Sequence, residues 1–338
     1  MDLLEVNVTV DLTNETNLKA GSLKILSVIR PDWRRESIRW RVFTDGITNK
    51  LIGAWSEDNK EDTVLVRVYG LGTEKIIDRN MEMVNMIKYH KLGGSRLYAT
   101  FNNGICYQFI AGDLLHQDIL HLSDVYLCVA RGMAQLHTLE TETDQPVMWS
   151  RLEKFISVCN PDCDPRLKTE WLSKQQLLSE ARHLESLLHH TSSPVVFCHN
   201  DALLGNIVLT PNNNSVTFID LEYGAPNYAA FDIANHFCEF VGCEGKLDFE
   251  KWLPSKDYQM KWIQEYLRSS GAGASDAEVE SWCRTVEKFM LCAHLQWSVW
   301  SVIQAENSSL EFNFVDYAIQ RYEEYKRLKN KLSTTTQS

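Results

Sequence analysis

The sequence predicts an α+β protein of two lobes, a small β-rich amino-terminal lobe and a larger helical carboxy-terminal lobe, with the active site in the cleft at their junction. Three observations carry this expectation. The chain has 338 residues, about two domains at roughly 150 residues each. Two turn dipeptides, Asp45-Gly46 and Asn103-Gly104, lie between strand-forming runs in the first 110 residues, the spacing of β-hairpins. Beyond Gly112 the strand signals thin and Leu-rich helical spacing takes over.

Residues 1–36 are expected as an amino-terminal extension, partly helical, because Leu, Ile and Lys recur at helical spacing over 14–28 and the pattern stops near Pro31. SIRWRVFT (37–44) and KLIGAW (50–55) flank Asp45-Gly46, and TVLVRVY (63–69) is a third strand with Arg67 inside it. A polar helix follows over 74–90. RLYATF (96–101) and ICYQFI (105–110) then flank Asn103-Gly104. These elements form a first lobe over 37–111. The second lobe, 112–338, opens with helices over 118–139 and 165–190. PVVFC (194–198) is a short buried strand, and NIVLT (206–210) and SVTFID (215–220) form a hairpin through Pro211 and three Asn residues. Past Asn227 the pattern is mostly helical.

Composition narrows the function. Asp and Glu (45) outnumber Lys and Arg (34), giving a formal net charge of −11, which repels a phosphate backbone and excludes nucleic acid as a partner. Nine Cys lack any C-x-x-C or Cys/His zinc spacing, as suits unpaired thiols in a reducing compartment. The amino terminus has no basic start with an apolar run, and no apolar stretch approaches the roughly 18 residues of a membrane span. A cytoplasmic protein with no membrane span is expected.

The strongest local signal is His199-Asn-Asp201-Ala-Leu203-Leu-Gly205-Asn206, the H-x-D-x-x-x-x-N spacing of a kinase catalytic loop. Alone, it would equally suit a buried histidine beside a capped turn. Fourteen residues later Asp220 ends the next strand, and the hairpin would lay Asn206 beside it. In such a loop Asp201 accepts the proton of an attacking hydroxyl. An amide oxygen from Asn206 and a carboxylate from Asp220 make a hard oxygen site for Mg2+ on the phosphates of ATP.

The first lobe must then hold the nucleotide. Arg67 lies mid-strand where a kinase carries its phosphate-pairing Lys, and Glu82 on the next helix is its expected partner. The turn carrying Gly46, Thr48 and Asn49 can cover phosphates with backbone N–H groups and side chains. Gln108 and Ile110, at the lobe junction, can bond adenine through the backbone. For the acceptor, Trp297 and Trp300 are three apart on one helix face, with Tyr317 nearby in sequence. Glu222, Tyr223, Asp232 and Glu239 come earlier. Aromatic faces and carboxylates together suit an ammonium group, and a Trp stripe also suits plain core.

The chain resembles the choline/ethanolamine kinase family over about residues 37–328. The resemblance rests on FTDGITNKLIG, VLVRVYG, TFNNGICYQFI, CHNDALLGNIV, FIDLEYGAPNYAAFDIANHFCEF and LQWSVWSVIQAENSSLEFNFVDYAIQRY. It implies a protein-kinase-like two-lobe fold and Mg2+-dependent transfer of the γ-phosphate of ATP to a small amino alcohol. Carried across, it implies Asp201 as catalytic base, Asn206 and Asp220 as metal ligands, and Arg67 with Glu82 at the phosphates. It also implies Gln108 and Ile110 at the adenine, and Glu222, Tyr223, Glu239, Trp297, Trp300 and Tyr317 around the ammonium. DGITNKLIG and Leu203 are similar to the ethanolamine branch, whose product, phosphoethanolamine, enters the CDP-ethanolamine route to phosphatidylethanolamine. Ala202 and Gly205 depart from that branch, which often has Leu and Lys there. A homodimer is the family-level expectation.

Three readings follow: an ethanolamine kinase, a kinase for choline or both amino alcohols (or, more distantly, an aminoglycoside), and a non-catalytic kinase-like binding protein. The intact Asp201, Asn206 and Asp220 speak against the last. Paired Trp with nearby carboxylates favours a small ammonium over a polyamino sugar.

Overall fold

The computed structural model describes residues 3–43, 49–70, 77–210, 215–243, 245–308 and 311–335. The chain divides into two compact units, Met1–Gly112 and Asp113–Ser338. Among the described residues no helix is long and apolar enough to cross a membrane.

The first unit contains β1 (Leu4–Val6), α1 (Glu15–Ile29), β2 (Ile38–Phe43), β3 (Asn49–Ser56), β4 (Asn59–Tyr69), α2 (Arg79–His90), β5 (Leu97–Phe101) and β6 (Gly104–Gln108). Its strands form one sheet in the order β1-β5-β6-β4-β3-β2. β1 runs parallel to β5, and the other pairs are antiparallel. Residues 1–36, which patterning set apart as an extension, contribute a strand and a helix to this unit. Leu18, Ile25 and Leu26 of α1 share a core with Val64, Val66 and Val68 of β4. Alternation along a strand then sends Arg67 to the other face, where its register partner Ile105 packs with Met86 of α2. Gly104 opens β6 directly against β4: a Cβ there would lie 2.1 Å from the Arg67 carbonyl oxygen. The second helix begins later than the pattern suggests, at Arg79, because Asp78 caps it by accepting from Asn80 N–H and Met81 N–H (3.0 and 3.1 Å).

The second unit contains β7 (Asp113–Leu114), α3 (Ser123–Leu136), α4 (Met148–Val158), α5 (Pro165–Glu170), α6 (Lys174–Leu188), β8 (Val195–Cys198), β9 (Ile207–Leu209), β10 (Val216–Phe218), β11 (Ala225–Tyr228), α7 (Ala229–Cys238), α8 (Phe249–Trp252), α9 (Lys256–Ser269), α10 (Asp276–Asn307) and α11 (Phe314–Thr335). Two small sheets, β10-β9-β7 and β11-β8, carry the loops of interest. The single helix expected over 165–190 is two. Trp171 leaves the helix to donate its indole N–H to Ser298 Oγ (2.7 Å), and Ser173 with Gln176 forms a capping box that restarts it. Every residue of α10 from Phe289 to Gln304 is buried, so this stretch forms the unit's central post. Ser298 and Ser301 donate across to the Ala318 and Phe314 carbonyls of α11, each at 2.7 Å.

Candidate active site

The loop between β8 and β9 carries the candidate base, and α7 holds that loop from below. Asp232 of α7 is fully buried. It accepts from the backbone N–H of His199 (2.8 Å) and of Asn200 (2.7 Å), and lies 3.0 Å from His137 Nε2. Burial would raise this carboxyl, but the His137 and His199 donors outweigh it and hold the group below the usual range. Asp232 was grouped by sequence with carboxylates for an ammonium. The structure corrects that: its oxygens are spent on the loop backbone.

His199 ties the loop to the next strand. Its Nε2 bonds the Ile219 carbonyl (2.9 Å) and its Nδ1 accepts from Asp201 N–H (3.3 Å). Those partners select the neutral Nε2–H form, and burial lowers the ring's proton affinity in agreement. Asn200 sits at φ 64°, a left-handed geometry that asparagine tolerates. Its amide donates to the Cys198, Tyr223 and Ala225 carbonyls and accepts from Asn227 (2.7 Å).

Three side chains converge from this frame. Asn206 Nδ2 donates to the Asp201 carbonyl (2.9 Å) and to Asp201 Oδ2 (3.2 Å), which turns its amide oxygen the other way. The β9–β10 pairing sets Ile207 against Phe218, and Ile219 N–H donates to the Asn206 carbonyl at 2.9 Å. Asp220 therefore follows immediately, at φ 61° and ψ 65°. Burial first, then the carboxylates of Glu239, Asp220 and Glu222, pushes the Asp201 carboxyl well above the usual range, and the Asn206 amide offsets part of this. An amide oxygen and a carboxylate fit a hard divalent cation. Leu203 bonds back to the Asp201 carbonyl through its N–H (2.8 Å), and its Cδ1 lies 3.2 Å from where a Cβ on Gly205 would stand.

The aromatic residues predicted for the acceptor also meet. The Trp297 and Trp300 rings are edge to face with centroids 5.5 Å apart, and Tyr223 meets Trp297 in the same way at 5.5 Å. Trp300 Nε1 donates to Tyr223 Oη (2.8 Å) and Trp297 Nε1 donates to Asn235 (2.6 Å). Glu239 lies under Arg321, which donates from Nη1 to Glu239 Oε1 (2.7 Å) and to Tyr317 Oη (3.2 Å). Glu222 lies in the single turn Leu221–Tyr223 after Asp220.

In the first unit, Arg67 and Glu82 form a buried ion pair, and Arg79 donates to the other Glu82 oxygen (2.9 Å). Arg79 also donates to Asn49 Oδ1 (3.2 Å). Gln108 ends β6, its N–H bonded to the Arg96 carbonyl (2.9 Å), and Ile110 lies in the segment beyond. Gly46 and Thr48 lie outside the described residues. Sequence reasoning missed Arg151 of α4, whose Nη2 donates to the Tyr223 carbonyl at 2.9 Å. No local signal marks it, because its contact joins segments 72 positions apart.

Comparison with known proteins agrees over nearly the whole chain. The family model described as Choline/ethanolamine kinase matches residues 41–326. The chain is 35% identical to ethanolamine kinase 2 of Mus musculus over 332 residues, covering 97% of this chain and 85% of that one. It is 35% identical to ethanolamine kinase 1 of Homo sapiens over 340 residues, covering 96% and 75%. The solved structure of a Plasmodium vivax ethanolamine kinase superposes with a TM-score of 0.82 at 27% identity, covering 93% of this chain and 89% of that chain. With the loop, the hairpin and the aromatic cluster all in place, the chain belongs to the choline/ethanolamine kinase family.

Proposed function

We propose that the protein is an ATP- and Mg2+-dependent ethanolamine kinase of the cytoplasm. The observation that carries this reading is the Asp201–Asn206 pair, with the Asp220 turn beside it. Similarity to ethanolamine kinases at 35% identity over 97% of the chain supports the acceptor.

Asp201 takes the proton of the ethanolamine hydroxyl as its oxygen bonds to the γ-phosphorus. The bond from phosphorus to the β-bridging oxygen breaks, and ADP leaves. Asn206 holds the Asp201 carboxylate in position, and the neighbouring carboxylates raise its affinity for the proton it must accept. Asn206 and Asp220 are the residues that would hold Mg2+, which supplies countercharge to the phosphates when bound. Arg67, oriented by Glu82, neutralises phosphate charge, with Gly46 and Thr48 just ahead of β3 and Asn49 at its first position assigned to the phosphates, and Gln108 and Ile110 to the adenine. Tyr223, Trp297, Trp300 and Tyr317 surround the ammonium, Glu222 and Glu239 supply its acceptors, and Leu203 borders it. Most of the rate comes from positioning and fixed charge.

The test is phosphoryl transfer from Mg-ATP to ethanolamine and to choline at equal concentration. Preference for ethanolamine supports the reading, and equal or greater turnover of choline overturns the choice of acceptor. Loss of transfer to both overturns the kinase reading. The same reading carries the family's homodimer, which sedimentation velocity checks.

A further inference from the structure

Arg151 enters the aromatic cluster from α4, a helix anchored there by the Val147 N–H bond to the Pro226 carbonyl (2.8 Å). Its guanidinium carbon lies 5.6 Å from the centroid of the Tyr223 ring, over the ring. Nη2 is fixed on the Tyr223 carbonyl (2.9 Å), the oxygen that also accepts from Asn200 (3.0 Å). Nη1 is buried without a hydrogen-bond partner. Burial pushes the group down to about 10, so it stays charged at neutral pH. A buried arginine that leaves an N–H unsatisfied costs stability, and its seat over an aromatic ring calls for a reason beyond packing.

An aromatic face attracts a cation once. A guanidinium over one face of Tyr223 draws on the ring's negative potential and weakens what the ring offers a second cation. The Tyr223 hydroxyl is also committed, as acceptor of the Trp300 N–H. A quaternary ammonium depends on aromatic faces because it has no N–H to donate. A primary ammonium has three donors and can bind carboxylates and carbonyls instead.

We propose that Arg151 is a specificity-determining residue, occupying the Tyr223 ring so that the acceptor pocket favours an ammonium that carries N–H donors over a fully methylated one. The proposal rests on the reading of Tyr223, Trp297 and Trp300 as the ammonium pocket.

The test is kcat/KM across ethanolamine, its N-methyl and N,N-dimethyl derivatives, and choline. Arg151→Gln keeps an N–H for the Tyr223 carbonyl and removes the charge, whereas Arg151→Lys keeps the charge. Activity of the natural protein falls as methyl groups are added. In Arg151→Gln the choline-to-ethanolamine ratio rises by about tenfold, and in Arg151→Lys it stays near the natural value. A parallel fall for all four acceptors in Arg151→Gln, with the ratio unchanged, overturns the proposal. So does an equal rise in the Lys variant. If melting curves show that Arg151→Gln does not fold, Arg151→Met supplies the second neutral side chain, read by the same ratio. A natural protein inactive on the whole series refutes the kinase reading itself, an outcome distinct from an unchanged ratio.

Discussion

Asp232 holds the backbone N–H of Asn200 at 2.7 Å, and so fixes in a left-handed turn the residue that precedes the candidate base. Asp232→Asn puts an amide N–H against a donor it must now face. We expect a loss on the order of 2–4 kcal/mol, seen as a lower midpoint in denaturant, together with a fall in kcat.

Asp201→Asn should differ in its effect on stability. It removes the proton acceptor, so kcat drops at least about a hundredfold. It also removes a charge crowded by Glu239, Asp220 and Glu222, so Tm holds or rises. A variant with natural turnover would refute the role assigned to Asp201.

Tyr223→Phe deletes the acceptor of the Trp300 indole N–H, which is otherwise buried. The expected cost is about 1–3 kcal/mol. KM for ethanolamine should rise more than KM for ATP, as steady-state kinetics with each substrate varied will show.

Gly104→Ala forces a methyl onto the Arg67 carbonyl oxygen. We expect a loss of at least about 2 kcal/mol, because the obstacle is backbone that cannot rotate away. Chemical denaturation, with the intrinsic aromatic fluorescence as signal, measures it.

Acid should destabilise the fold before carboxylates titrate. His236 is buried with Nδ1 on the Ala202 carbonyl (2.9 Å), and burial pushes it from 6.5 down to about 4. The unfolded chain binds a proton there at a higher pH than the folded one. Its contribution is therefore whole above about 6.5 and lost as pH falls toward about 4. By pH 5 the loss is about 2 kcal/mol. Tm measured from pH 7 to 5 should fall, and His236→Gln should flatten the slope.

Much of this was readable in advance. Alternation along TVLVRVY places Arg67 opposite the valines, and helix spacing puts Trp297 beside Trp300, because both follow from fixed periods of 2 and 3.6. The antiparallel pairing of NIVLT with SVTFID brings Asn206 to the strand end that carries Asp220. Contacts between distant segments were not readable. Asp232 looked like one more acidic residue until α7 folded under the loop. Arg151 reaches Tyr223 across 72 positions, a distance no local pattern encodes. The interruption at Trp171 was hidden too, since its indole partner, Ser298, lies 127 positions away.

The edge strand of the first sheet has a kinetic consequence. Val10 bonds Asn103 across 93 positions, and Leu4 pairs with Ala99. On the ribosome, at roughly 5–20 residues per second, the opening segment waits about 5–20 s for its partner strand to be made. For the first part of that interval, until β4 is made, Ile25 and Leu26 lack Val64, Val66 and Val68, which cover them. The newborn chain thus carries a sticky helix through the early part of its synthesis, and its yield in cells should track the supply of chaperones that shield such a surface.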